Sequence, residues 1–379
     1  MAPTHGMETP QVMIPISRPV IGNEEIEAVA AVLRSGQVAQ GDEVRVFEEA
    51  FAAAVGARYA IAVNSGTAAL HLALLAHGVG MDDEVVTTPF SFAATANSVL
   101  FAGARPVFAD IEEDTFNIAP QDLAGRITPR TRAILPVHLY GQPCEMKEIT
   151  ELAEKHGIAV IQDACQAHGA GYEGQPLGSL STACFSFYAT KNMSTGEGGM
   201  MTTNDPDVAQ RARAIRNHGQ NGRYLHEVLG FNYRMTDIAA AMGRCQLAHL
   251  DERNTRRMEN ADTLSAGLSG IAGLMPPVVR PNVKHVFHQY TARVTDGFPL
   301  SRDELREQLR DAGIATEVYY PLPLHRQPLY RSLGYRDGLP NAEKAAEEVL
   351  SLPVHPSLTT GELAHIVGAV SVFGAGGGR

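Results

Sequence analysis

One lysine is set apart by its surroundings. It lies in Phe185-Ser-Phe-Tyr-Ala-Thr-Lys191-Asn-Met-Ser-Thr-Gly-Glu-Gly-Gly199, after an aromatic-rich strand pattern and before a glycine cluster. An ammonium with few polar neighbours loses hydration, so its pKa falls and the amine becomes a nucleophile and proton carrier, as a Schiff-base lysine must be. Upstream, the apolar run 158–161 ends in Gln162-Asp163-Ala-Cys-Gln166, which puts an acid at the carboxyl end of a buried strand, where α/β sheets bind ligands. An ionised Asp163 there suits a cationic ring nitrogen, which it would keep protonated. A third element, Asn64-Ser-Gly66-Thr67-Ala-Ala-Leu70, reads as strand, small-residue turn and helix. The free amides of such a first turn form a phosphate site, and Gly66 permits close approach. Each element has an ordinary alternative: a surface lysine, a helix-capping Asp and a turn without a ligand.

Taken together, the phosphate turn, the acid and the lysine describe pyridoxal phosphate (PLP) held at both ends. The chain resembles the DegT/StrS-type sugar aminotransferases, a branch of the fold-type I PLP enzymes, from about Ile16 to about Gly361. The resemblance rests on Asn64-Ser-Gly-Thr-Ala-Ala-Leu70, Asp163-Ala-Cys-Gln-Ala-His-Gly169, Ser186-Phe-Tyr-Ala-Thr-Lys191 with Gly196-Glu-Gly-Gly199, and Asn232-Tyr-Arg-Met235. It implies that Lys191 forms the Schiff base and shuttles the proton, that Asp163 pairs with the pyridine nitrogen, and that Gln166 reaches the ring hydroxyl. It places Phe90, in Thr88-Pro-Phe-Ser-Phe92, as the aromatic stacked on the ring. The phosphate is expected on the amides of Gly66 and Thr67 and the hydroxyl of Ser186. Asn232 is expected to come from the neighbouring subunit, which makes a homodimer with shared active sites the smallest working unit. Tyr319-Tyr320-Pro-Leu-Pro-Leu-His325 resembles the stretch that borders the substrate pocket, so Tyr320 and His325 are candidate substrate contacts. His138, in His138-Leu-Tyr-Gly141, reads as a structural turn, and Arg234 as structural or dimer-forming.

These residues need a scaffold that gathers distant segments. From residue 20 to about 205, short β-branched runs alternate with helix-period segments, the pattern of a mostly parallel sheet. Strands are predicted at 59–64, 84–88, 105–110, 133–137, 159–163, 184–188 and 199–203, with crossover helices such as 67–77 and 144–156. A long helix is predicted from Asp237 to about Leu268, bridging two domains. Beyond it, a strand at 290–294, a helix at 301–312, an extended segment at 316–320 and a helix at 341–350 read as a small α+β domain. The expected fold is therefore α/β: a fold-type I PLP transferase with a large domain (1–250, including the N-terminal segment) around a mostly parallel seven-stranded sheet, and a small C-terminal α+β domain (251–379). The glycine-rich tail 374–379 is expected to fray.

Composition narrows the function classes. The 379 residues contain 44% hydrophobic and 19% charged side chains, enough for a large core and too little charge for wholesale disorder. A formal charge of −11 repels phosphate backbones and anionic lipid, which argues against nucleic-acid or membrane-surface partners. Residues 1–12 show neither a basic start nor an apolar run, so a cytoplasmic location is expected. Cys144, Cys165, Cys184 and Cys245 are scattered without metal-ligand or cluster spacing, so no metal is expected and the thiols read as reduced, buried small hydrophobes.

The resemblance implies transamination in two halves. L-glutamate first leaves its amine on the cofactor as pyridoxamine phosphate (PMP), and a nucleotide-linked keto-deoxysugar, with a 4-keto-6-deoxyhexose favoured, then takes it. Retention of Lys191 disfavours the dehydratase branch, in which histidine replaces that lysine. The alternatives are an aminocyclitol aminotransferase acting on a keto-inositol or deoxy-scyllo-inosose with glutamine as donor, and a non-catalytic PLP-binding regulator.

Overall fold

The computed structural model describes residues 13–376. Residues 1–12 and the end of the tail, 377–379, on which a location and fraying were expected, lie outside the described residues. Seven strands form one sheet: β1 (Tyr59–Val63), β2 (Glu84–Thr87), β3 (Arg105–Phe108), β4 (Thr131–Leu135), β5 (Ala159–Asp163), β6 (Thr182–Ser186) and β7 (Gly199–Thr203). Their spatial order is β1-β7-β6-β5-β4-β2-β3, and only β7 runs antiparallel to its neighbours. The strands are short apolar runs because helices cover both faces of the sheet.

The register explains why the chemistry-bearing segments meet. Val63 pairs with Gly199, and Gly199 with Ser186, so the ends of β1 and β6 lie in one row. Asp163, the last residue of β5, pairs with Cys184 beside that row. The phosphate turn, Asp163 and the approach to Lys191 thus leave the same edge of the sheet, the edge at which open α/β sheets bind ligands. The helix Gly66–Ala76 starts at once after β1, because the Ser65 hydroxyl accepts the Ala68 amide (3.1 Å). Such a cap contributes about 1 kcal/mol and fixes where the helix begins.

The predicted long helix is two. Asp237–Ala248 and Leu250–Leu268 meet at His249, whose amide reaches back only three residues to the Gln246 carbonyl (3.3 Å) and whose Nε2 lies 2.9 Å from Glu24 Oε2. This tightened turn interrupts the regular ladder without a Gly or Pro to announce it. The second helix carries Ala261, Leu264 and Leu268 into the core of the C-terminal region. There Leu274–Met275, Tyr290–Val294 and Val349–Leu352 form an antiparallel sheet. Arg302–Asp311 and Thr360–Gly374 pack against it, each opened by a reciprocal cap, Ser301 with Glu304 and Thr359 with Glu362. Gly374 belongs to the last helix: a Cβ there would lie 2.6 Å from Ile271 Cγ2. Two features cross between the chain's halves. Ile14 pairs with Ile314, and the hairpin of Gly171–Tyr172 and Gln175–Pro176 adds Val283–Lys284 as a third strand. No helix among the described residues is long and apolar enough to cross a membrane.

Candidate active site

The segment after β6 is locked from below by rings. Phe185 and Phe187 pack edge-on against Phe51 at 5.0 and 5.4 Å, and Phe187 lies 5.4 Å from Phe47. Phe187 and Met193 are fully buried on either side of Lys191, so the chain between them has little freedom. The Lys191 amide donates to the Tyr188 carbonyl (2.9 Å), and its ammonium makes no hydrogen bond or ion pair among the described residues. Burial lowers its pKa from the ordinary 10.5, while the neighbouring Cys165 and Asp163 act in the opposite direction.

Asp163 is 4% exposed, and its two oxygens are held apart by different donors. Oδ2 accepts from the Thr95 hydroxyl (2.7 Å) and Oδ1 from the Cys165 amide (3.2 Å). No Lys, Arg or His among the described residues forms an ion pair with it. A buried carboxylate without a cation is costly, and a protonated pyridine ring supplies the missing charge.

The phosphate turn shows the same fit. The amides of Gly66 and Thr67, first in their helix, donate to nothing among the described residues. Gly66 presses against Ser186: a Cβ at Gly66 would lie 2.6 Å from Ser186 Cβ, 3.0 Å from its Oγ and 3.2 Å from Cys165 Sγ. Gly199 is required on the opposite side, because a Cβ there would overlap the Ser65 carbonyl oxygen. Two free amides and a serine hydroxyl therefore converge where a helix N-terminus already favours an anion. These residues suit PLP from the phosphate to the ring nitrogen.

Gln166 and Tyr320 also meet. The Gln166 Nε2 donates to the Tyr320 hydroxyl (3.2 Å), and its Oε1 accepts from the Tyr140 amide (2.8 Å). Burial raises the Tyr320 phenol's pKa, so it stays neutral. The Tyr140 hydroxyl in turn donates to the Tyr319 carbonyl, tying the 319–325 segment to this wall.

Two expected residues do not reach the site. Phe90 is 0% exposed, enclosed by Phe116 and Tyr320 at centroid distances of 6.3 and 6.1 Å, so neither face of its ring is open for stacking. Phe92, two positions on, is 62% exposed and immediately precedes the helix Ala93–Phe101 that carries Thr95. His325 is 1% exposed: its Nε2 lies 3.0 Å from Glu343 Oε1 and its ring packs on Phe108 at 6.5 Å. It braces the C-terminal region, and burial lowers its pKa. Asn232 is exposed, with its backbone beside Asn64 of the same chain, whose Nδ2 donates to the Asn232 carbonyl (3.3 Å). Arg234 donates to Asn217 Oδ1 (2.6 Å). His138 is fully buried between Gln162 Oε1 (2.9 Å) and the Cys144 amide (3.0 Å), a structural post whose pKa burial lowers to about 4.

Sequence reasoning missed Thr95 and Cys165. Thr95 stands 68 residues from Asp163, and no spacing signal connects them. Cys165 is not an inert core thiol but part of the site wall, half-buried against Gly66 and Asp163. Among the described residues no group of three His, Cys, Asp or Glu could hold a metal ion.

Comparison with known proteins identifies the family. The profile of the DegT/DnrJ/EryC1/StrS aminotransferase family matches residues 19–371. A pleiotropic regulatory protein of Geobacillus stearothermophilus is 45% identical over 92% of this chain and 94% of its own. A dTDP-3-amino-3,4,6-trideoxy-alpha-D-glucose transaminase of Streptomyces venezuelae is 42% identical over 90% of each. The PLP form of a putative sugar aminotransferase from Streptococcus pneumoniae superposes with a TM-score of 0.91 at 30% identity, covering 97% of this chain and all of that one. The chain belongs to the DegT/DnrJ/EryC1/StrS aminotransferase family, as a PLP-dependent sugar aminotransferase.

Proposed function

We propose that this aminotransferase carries the amine of L-glutamate to a nucleotide-linked keto-deoxysugar, with a 4-keto-6-deoxyhexose as the first acceptor to test. The observation that carries the chemistry is a lysine of lowered pKa beside a buried carboxylate that has no cation of its own. The nucleotide-sugar acceptor is supported by the relative that is named as a transaminase of a dTDP-linked 3-amino sugar. PLP, when bound, supplies an electrophilic carbon and an electron sink for the adjacent C–H bond. The chain's own groups do the rest. Gly66, Thr67 and Ser186 hold the phosphate, and Asp163, oriented by Thr95 and the Cys165 amide, holds the proton on the ring nitrogen. Phe92 offers the open aromatic face in place of Phe90. Lys191 would take up and return the substrate proton, a task for one flexible amine.

A single-turnover panel tests the acceptor. The PMP-loaded protein is mixed with nucleotide-linked 4-keto and 3-keto deoxysugars and with keto-cyclitols, and return of the PLP absorbance is followed. Fastest return with a 4-keto nucleotide sugar is the expected result. Return only with a cyclitol would move the enzyme to aminocyclitol synthesis, and a cofactor band indifferent to every amino acid would leave a regulator.

We further propose that each site is completed by Asn232 of a second copy. Its side chain is exposed and makes no hydrogen bond among the described residues, and Tyr224, Leu225, Val228 and Leu229 on the same segment are exposed. Apolar exposure of this kind marks an interaction surface. Asn232→Asp would set a negative charge against the phosphate. Mixed dimers of Lys191→Ala and Asn232→Asp chains are therefore expected to regain one intact site, about half the wild-type activity per dimer. No recovery on subunit exchange would place Asn232 in its own chain's site.

A further inference from the structure

Lys191 sits in a stretch without regular secondary structure, but the next residue is tethered from three sides. Asn192 donates through Nδ2 to Asn254 Oδ1 (2.8 Å) and to the Val286 carbonyl (3.0 Å). Its Oδ1 lies 3.3 Å from His288 Nδ1. Burial pushes the His288 pKa far down, so the ring is neutral and its Nδ1–H is the donor. Asn254 is fully buried in the Leu250–Leu268 helix, and its Nδ2 donates to the His168 carbonyl (2.8 Å), two residues beyond Gln166. One helical turn later, Arg257 donates to the carbonyls of Phe287 (3.3 Å) and His288 (3.4 Å), holding the segment that presents His288. Every polar atom of the Asn192 and Asn254 side chains is used, in a place closed to water.

We propose that Asn254 and His288 are positioning residues for Lys191, acting through Asn192. The helix whose far end forms the core of the C-terminal region thereby sets where the amine stands. Two buried amides whose every polar atom is paired fix one geometry, and removing one of them leaves an unpaired buried group that the backbone must move to satisfy. A displacement of about 1 Å at a reacting group costs up to ~100-fold in rate. The proposal rests on the reading of Lys191 as the Schiff-base lysine.

A double-mutant cycle on the holoenzyme, with Asn192→Ala, Asn254→Ala and the pair, tests it. Two quantities are read: kcat against KM for L-glutamate, and the pH midpoint of the absorbance band of the Lys191–pyridoxal linkage. Asn254→Ala is expected to lower kcat roughly tenfold at unchanged KM and to move the midpoint, with no further loss when added to Asn192→Ala. Independent, additive effects would overturn the proposal, as would an unmoved midpoint and full kcat in a variant that only melts earlier. If Asn254→Ala does not fold, Asn254→Ser, which retracts the acceptor from Asn192 but keeps a polar atom, carries the same expectation. A wild-type protein without the linkage band would overturn the reading of Lys191 itself; a normal band with additive variants would overturn this inference alone.

Discussion

Lys191→Ala is expected to abolish transamination, by about 10⁴-fold or more, while the cofactor still binds. The amine is both the group that links to the carbonyl and the carrier of the proton, and general acid–base transfer alone contributes about 10²–10⁴-fold. The phosphate clasp at Gly66, Thr67 and Ser186 and the carboxylate of Asp163 do not depend on the lysine, so PLP should remain bound but unlinked. Absorbance of the linkage and steady-state turnover check both halves of the expectation, and an alanine variant with wild-type turnover would sink the assignment. Stability provides a second test with a definite sign. The folded-state pKa of Lys191 lies below its unfolded 10.5, so the folded protein binds fewer protons in the window between the two values. The stability of the cofactor-free wild type should therefore rise with pH through that window, reaching its full value above 10.5. The alanine variant should lack that component and melt no earlier than wild type near neutrality.

Asp163→Asn is expected to lower kcat by about 10²–10⁴-fold, with the fold intact. The asparagine keeps the shape: its one oxygen can still accept from the Cys165 amide, and its Nδ2 can donate to the Thr95 hydroxyl once that hydroxyl turns its proton to Ser91, but the side chain is neutral and cannot hold the ring nitrogen protonated. Without that proton the ring is a poor electron sink. The cofactor-free variant should melt close to wild type, because it loses a buried carboxylate that makes no ion pair together with that carboxylate's attraction for the Lys191 ammonium, two effects of opposite sign. The contrast of near-wild-type stability and lost turnover separates a chemical role from a structural one. Turnover within tenfold of wild type would remove Asp163 from the mechanism.

How much of this was legible without coordinates differs from residue to residue. Asp163 ends its strand, Gly66 and Lys191 follow shortly after theirs, and the apolar runs of those strands are continuous, so the elements and their edge of the sheet could be read locally. Phe90 and Phe92 could not be told apart. Both are Phe two apart in a loop, and which one is sealed depends on Phe116 and Tyr320, which come from elsewhere in the chain. His325 is sealed for the same reason: Glu343, 18 residues on, and Phe108, far earlier in the chain, enclose it.

The sequence by itself determined the seven-stranded α/β scaffold, the phosphate turn, the acid and the lysine, because periodicity, strand ends and first-turn amides are local physics. Only the tertiary structure decided which aromatic is open, which histidine is sealed, that Thr95 orients Asp163, and that Asn192 is moored to Asn254. Those depend on contacts between segments tens of residues apart, set by packing and hydrogen-bond satisfaction in the folded core, for which a single chain carries no local signal.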